Sequence, residues 1–235
     1  MATLNAFAKS ARSLTAERYV LLLIGLALVG RIVFAGTIGL GIDESYTVAT
    51  SRTLALSTYD HPPLAWWLAG GARWLFGTEA ALAVRLPFIL LFALTTWLMF
   101  ALTRLLFGAR AGLFAAVTLN LAPVLAWTSG SFVLPDGPLL AALVAGTYCL
   151  ARILFAPGSP SPLWWLAAGA CGGLACLAKL HGIFLFAGTA LAADAVALSW
   201  CCRRGFAVPA RHRLECTARV GAVRPPRRAG AHDAP

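Results

Sequence analysis

The residues best suited to chemistry lie close together, in a polar stretch between two long apolar segments. Residues 43–61 hold three of the nine acidic residues of the chain. Removing a proton from an alcohol requires a carboxylate beside the acceptor, and adjacent carboxylates are not needed simply to join two helices. The candidate residues of this stretch are Asp43, Glu44, Tyr46, Arg52, Tyr59, Asp60 and His61.

Structural roles are open for the same residues. Asp43 and Glu44 precede the stretch SYTVATSRTLA, whose helix they are suited to cap. Asp60 and His61 precede two prolines, which fix an extended chain and favour a plain turn as the alternative to a binding site.

Polar residues elsewhere offer partners for that stretch. Asp136, in LPDGPLL, begins an apolar segment, where an acid is costly unless it caps the helix or serves a site. Lys179 and His181, in LAKLHG, join two apolar segments, and a cation there is suited to hold a phosphate or a carboxylate. Snorkelling to the interface is the alternative for Lys179. Arg31 and Arg85 either snorkel or line a polar cavity.

The composition decides which elements must position these residues. The chain has 235 residues, of which 60% are hydrophobic and 12% charged, with a mean hydropathy of +0.78. Soluble chains are about one-quarter charged, so a soluble globular domain is excluded. We predict an all-α polytopic membrane bundle, because about 20 apolar residues of helix cross a bilayer. The six predicted spans are 19–40, 82–103, 111–128, 138–154 and two between 163 and 200.

Basic residues at the ends of the spans predict the orientation. Lysine and arginine accumulate on the cytoplasmic side, which places the N-terminus inside. We therefore expect a multi-pass protein of the plasma (inner) membrane, with its acidic first loop and the turn at Lys179 on the extracytoplasmic side. The basic residues that carry this expectation are Lys9, Arg12, Arg18, Arg104, Arg110, Arg152, Arg203 and Arg204.

Two smaller patterns predict an interfacial helix and a close contact between helices. Residues 64–78 are too short to cross the membrane and carry Trp66, Trp67 and Trp74 around Arg73, which is typical of an interfacial helix. Such a helix offers an isoprenoid or acyl chain a surface. Gly169 and Gly173 have the G-x-x-x-G spacing that lets helices approach closely.

Other function classes find no support in the sequence. The net charge of +10 comes about half from residues 201–235 and half from scattered arginines, without a basic stripe, so nucleic-acid binding is not expected. The six cysteines form no C-x-x-C pair, so no metal or redox site is predicted, and Cys149, Cys171 and Cys176 are interpreted as small buried apolar residues.

An ordered set of motifs resembles glycosyltransferase family 39, the protein mannosyltransferase and lipid A aminoarabinose transferase group. The set consists of Asp43-Glu44 followed by Tyr46, then Tyr59-Asp60-His61-Pro62-Pro63-Leu64 leading to Trp66 and Trp67, then Arg85-Leu86-Pro87, Pro135-Asp136-x-Pro138-Leu139 and Leu177-Ala178-Lys179.

This resemblance implies transfer of a sugar from a polyprenyl-phosphate donor to an extracytoplasmic acceptor by a single inverting displacement. Asp43 matches the catalytic acid of the family and is expected to act as general base. Lys179 is expected to stabilise the departing lipid phosphate. The group does not clearly require a divalent metal, and no cofactor is expected. The other expected substrate-binding residues are Glu44, Tyr46, Tyr59, Asp60, His61, Arg85, Asp136 and His181.

The resemblance covers residues 15 to about 200, whereas family members are roughly twice as long as this chain. We divide the sequence into a cytoplasmic N-terminus (1–18), a membrane domain (19–200) and a basic Arg/Pro-rich tail (201–235). The abrupt loss of hydrophobic periodicity in the tail suggests a truncated or frameshifted reading frame. A genuine tail that binds anionic headgroups is the alternative.

Two rival functions remain open. A transporter places ionisable residues near the membrane midplane, where only Arg31 and Asp194 are candidates here. A non-catalytic membrane subunit or remnant would keep the packing without the chemistry.

Overall fold

The computed structural model describes residues 2–53, 55–57, 59, 61–156 and 161–191, with side chains from Thr15 onward. Residues 1–185 form one compact unit, and residues 186–191 are the described part of a second. The described residues form helices and turns without strands. The helices are α1 (Ala2–Thr37), α2 (Ile42–Thr50), α3 (Leu64–Phe76), α4 (Ala81–Phe107), α5 (Ala109–Leu121), the π-helical turn Leu125–Ser129, α6 (Asp136–Phe155), α7 (Pro162–Ala178) and the 3₁₀ turn Leu180–Gly182.

Three helices are long and apolar enough to cross a membrane: Thr15–Thr37 within α1, Ala81–Phe107 and Asp136–Phe155. They match the first, second and fourth predicted spans and confirm an all-α membrane bundle. Ala109–Leu121, Pro162–Ala178 and Leu180–Leu191 are apolar but shorter than the roughly 20 residues of a straight crossing. The count of six spans therefore stays a prediction.

The third predicted span, 111–128, is wrong as a single helix. Helix α5 ends at Leu121, and Ala122 takes an extended conformation with φ −70° and ψ 107°. The next residue is Pro123, whose ring disfavours the helical conformation of the residue before it. A π-helical turn then replaces the last part of the predicted span.

Contacts between the helices fix which ends lie together. Helix α4 runs antiparallel to α1, because Arg104 near its end forms an ion pair with Glu17. Helix α6 begins beside Phe88 and packs along α4, so the two run in the same direction. Helix α7 returns antiparallel to α6. We call the end where α4 and α6 begin the site end, and the end where they finish the opposite end.

A buried apolar cluster supports the site end. It joins α2, α3, α4 and the turn before α6, and it contains Val48, Ala65, Ala69, Val84, Phe88 and Val133. Burying apolar surface of this kind fixes the short helices α2 and α3 against the long helix α4.

Arg31 lies inside the bundle and does not snorkel. Its guanidinium carbon lies 4.4 Å from the centroid of the Phe92 ring, and its Nη1 donates to Asn120 Oδ1 at 3.3 Å. Asn120 Nδ2 donates in turn to Thr96 Oγ1 at 3.1 Å. The side chains of Arg31, Asn120 and Thr96 therefore connect α1, α4 and α5.

The predicted G-x-x-x-G contact is wrong in the described part of the chain. A Cβ atom at Gly169 or Gly173 would meet nothing within 4 Å, so these glycines face away from the neighbouring helices. Close approaches that involve α7 are found instead at Gly182, where a Cβ would overlap the backbone of Ala175 and Cys176, and at Gly146, which faces Cys171 of α7 and the Leu185 side chain.

These contacts predict opposite effects for two glycine substitutions. Gly182→Ala is expected to lower the free energy of unfolding by about 1–3 kcal/mol, because a backbone has to move. Gly173→Ala, inside α7 with open space around it, is expected to leave stability unchanged or raise it by about 0.5–1 kcal/mol. SDS titration of the purified protein measures both. Equal effects of the two substitutions would contradict the packing at Gly182.

Candidate active site

A buried ion pair organises the site end. Arg85 on α4 is 0% exposed and Glu44 on α2 is 2% exposed. Arg85 Nε donates to Glu44 Oε1 at 2.8 Å, and Arg85 Nη2 donates to Glu44 Oε2 at 2.6 Å. This bidentate geometry is the strongest that an arginine and a carboxylate form. Arg85 therefore neither snorkels nor lines a cavity, which corrects both of its structural interpretations.

The same two side chains bind three other parts of the backbone. Glu44 accepts from the Gly41 amide at 2.9 Å and from the Val133 amide at 3.0 Å. Arg85 donates to the carbonyls of Ile38 at 2.7 Å and Gly39 at 2.9 Å, just beyond α1. The pair thus connects the end of α1, the start of α2, α4 and the turn before α6. We call this arrangement the Glu44–Arg85 clamp.

The clamp leaves Glu44 with little capacity for a substrate. Each of its oxygens accepts two hydrogen bonds, which saturates the carboxylate. Burial raises the pKa of Glu44, but the bonds from Arg85, Gly41 and Val133 outweigh it, so the pKa lies below its ordinary value. The predicted substrate binding by Glu44 and Arg85 remains untested, and these contacts favour a positioning role.

Asp43 lies next to the clamp in the first turn of α2. Its side chain is exposed and makes no hydrogen bond or ion pair with any residue that the structure describes. The N-cap of α2 is Gly41, and the residue that bonds its amide is Glu44, so the capping interpretation applies to Glu44 and not to Asp43. Tyr46, one turn further along, is 50% exposed.

Asp136 and Lys179 meet at the same end of the bundle. Lys179 Nζ lies 3.0 Å from Asp136 Oδ1, and the two side chains are 26% and 36% exposed. Asp136 stands in the first turn of α6, where a negative charge is favourable, and Lys179 directly follows the last residue of α7. His181 is exposed, with its ring 6.1 Å from that of Phe184. The structure therefore brings Asp136 and Lys179 together at one end of the bundle, and their position on the extracytoplasmic side of the membrane stays a prediction.

Side-chain hydrogen bonds attach the first part of the loop between α2 and α3. Arg52 forms a bidentate pair with Glu79, with distances of 2.9 and 2.6 Å, and Trp67 Nε1 donates to the Ala55 carbonyl at 3.0 Å. Arg52 holds the pKa of Glu79 below its ordinary value. Further along the loop, Tyr59 is fully exposed.

The remaining loop candidates are only partly described. The His61 ring contacts the edge of Trp66, with ring centroids 6.4 Å apart. Asp60 lies outside the described residues, as do Asp194 and the tail. The roles predicted for these loop residues therefore stay predictions.

The contacts of the site that the sequence does not predict are mostly made by backbone groups. The Val133 amide and the Ile38 and Gly39 carbonyls complete the clamp, and no side-chain pattern indicates them. Asn120 is different, because a polar side chain in an apolar segment already signals a buried partner.

Comparisons with known proteins identify the family. A family profile described as dolichyl-phosphate-mannose-protein mannosyltransferase matches residues 60–210, more than half of the chain. Asp136 and Lys179 lie within the match, and Asp43 precedes it. No curated protein sequence and no solved structure matched. The matched family and the apolar helices together describe a membrane protein of glycosyltransferase type. The chain belongs to the dolichyl-phosphate-mannose-protein mannosyltransferase family.

Proposed function

We propose that the protein transfers a sugar from a polyprenyl-phosphate donor to an acceptor hydroxyl at the site end of the bundle, on the extracytoplasmic side of the plasma membrane. The observation that carries the proposal is the exposed Asp43 carboxylate, held beside the Glu44–Arg85 clamp at the end that also holds the Asp136–Lys179 pair. A base for the acceptor and a cation for the phosphate are what this reaction needs.

The reaction is a single displacement. The acceptor oxygen attacks C1 of the sugar, while its proton passes to the Asp43 carboxylate. The bond between C1 and the phosphate oxygen breaks, and the electron pair leaves with the polyprenyl phosphate. The configuration at C1 inverts. Lys179 offsets the negative charge that develops on the departing phosphate, and Asp136 holds the Lys179 ammonium until the phosphate arrives.

The tryptophans of α3 suit the lipid part of the donor. Trp74 is 85% exposed and Trp67 is 36% exposed, whereas Trp66 is buried in the bundle. Exposed tryptophan is favoured at the headgroup level of a membrane. We assign this surface of α3 to the isoprenoid chain.

The proposal is tested with the full chain in proteoliposomes. Labelled polyprenyl-phosphate mannose, together with a hexose and a pentose analogue, is offered with membrane-lipid and peptide acceptors, and release of polyprenyl phosphate is measured. Release with inversion at C1 is expected. Sugar transfer directly from a nucleotide sugar would contradict the proposal, and so would a failure to release polyprenyl phosphate from any lipid donor. Parallel reactions with EDTA determine whether a divalent metal takes part.

Lys179→Gln is expected to lower kcat/KM for the lipid donor by at least about tenfold, because charge on the leaving phosphate loses its cation. Lys179→Arg is expected to restore part of the loss. Arg52→Gln is the control, since it removes an exposed cation of the site end that is already paired with Glu79. Equal losses in the Lys179→Gln and Arg52→Gln variants would exclude a specific role for Lys179.

A further inference from the structure

Arg152 occupies a defined position at the opposite end of the bundle. It lies in the last turn of α6, and its guanidinium carbon is 5.0 Å from the centroid of the Trp164 ring on α7. Tyr148, one turn earlier on α6, meets the same indole edge to face with a centroid distance of 6.0 Å. Trp164 thus holds the half-buried guanidinium between the two helices.

No carboxylate in the described part of the chain neutralises Arg152. The described acids are Glu17, Glu44, Glu79, Asp136 and Asp43. The first four are each paired with another cation, and Asp43 lies at the site end. Arg152 Nε is buried and has no hydrogen-bond partner among the described residues. The buried Nε is closed to an external group, but the side chain as a whole is only half-buried. An unneutralised cation is costly beside lipid, so an external anion that reaches the other guanidinium nitrogens is the group that neutralises it.

We infer that Arg152 and Trp164 bind the phosphate of an anionic phospholipid headgroup. The guanidinium fork matches phosphate oxygens, and it lies where α6 ends and α7 begins. Leu163 and Trp165 flank Trp164 and are 71% and 55% exposed, which gives the acyl chains of the same lipid an apolar surface. Under the predicted orientation, this site faces the cytoplasmic leaflet, whose anionic lipids attract basic residues.

A binding experiment with the full chain tests the inference. The detergent-purified protein is titrated with labelled phosphatidylglycerol and, in parallel, with phosphatidylcholine. The wild-type protein is expected to prefer phosphatidylglycerol. Arg152→Gln is expected to weaken phosphatidylglycerol binding about fivefold, and Arg152→Lys less, because the charge remains and the fork is lost.

Arg110→Gln is the matched control. Arg110 is an exposed arginine of α5 at the same end, and its loss changes the net charge equally. It is expected to change phosphatidylglycerol binding by less than about twofold. Three outcomes would overturn the inference: equal losses in the Arg152→Gln and Arg110→Gln variants, no preference for phosphatidylglycerol in the wild-type protein, or displacement of the labelled lipid by inorganic phosphate alone. Thermal midpoints of all variants verify that they remain folded.

Discussion

Asp43→Asn is expected to lower kcat for sugar transfer by about 10²- to 10⁴-fold, the usual contribution of a general base. The asparagine amide has the shape of the carboxylate but does not accept a proton from the acceptor hydroxyl. The wild-type side chain is exposed and makes no bond to any described residue, so its replacement removes no contact that holds the fold. Binding of the donor lipid is expected to persist, because the proposed phosphate contact is made by Lys179.

Two measurements separate this expectation from the rival functions. Release of polyprenyl phosphate in proteoliposomes gives kcat, and binding of the labelled donor lipid shows whether the site is intact. Glu79→Gln is the control, since it removes another partly exposed acid of the site end without touching Asp43. A carrier would keep a substantial flux when Asp43 is replaced. A non-catalytic subunit would show no turnover in the wild-type chain either.

The sequence predicts the long helices and the polar ends of the bundle well. Apolar runs bounded by charges locate α4 and α6 to within a few residues, because lipid requires continuous helix of sufficient length. The alternation of spans also predicts that Asp136 and Lys179 lie on the same side of the membrane. Their ion pair is compatible with this prediction but does not follow from it. Hydropathy does not predict the break after α5, because it responds to composition and not to backbone geometry. Pro123 is the residue of the sequence that indicates this break.

The Glu44–Arg85 clamp cannot be predicted from patterns of hydropathy and charge. Forty-one positions separate its two partners, and the spacing of apolar residues does not specify which arginine meets which acid. The sequence therefore does not distinguish the surroundings of Glu44 from those of Asp43. In the folded chain one of these neighbours is buried and saturated, while the other is exposed, because α2 turns only one face toward α4.

Glu44→Gln is expected to lower the free energy of unfolding by about 3–5 kcal/mol, because it leaves the buried Arg85 without its counter-charge. The introduced amide group still accepts a hydrogen bond through its oxygen, but its nitrogen is a donor that faces the donors of Arg85 and of the Gly41 or Val133 amide. SDS titration of the purified variant measures the loss. A loss below about 1 kcal/mol, typical of exposed pairs, would show that the clamp does not hold the fold.

A double-mutant cycle and an acid titration test the same pair independently. Glu44→Gln combined with Arg85→Gln is expected to cost less than the sum of the single substitutions, since no unpaired charge remains buried. The pKa of Glu44 is lowered in the folded state, so the pair contributes fully above its ordinary value of 4.5, and the contribution is lost as pH falls through the lower folded value. Wild-type stability is therefore expected to decline below that pH more steeply than the stability of Glu44→Gln. Parallel declines would assign the acid sensitivity to other carboxylates, whereas a steeper wild-type decline would assign it to the ionisation of Glu44 in the clamp.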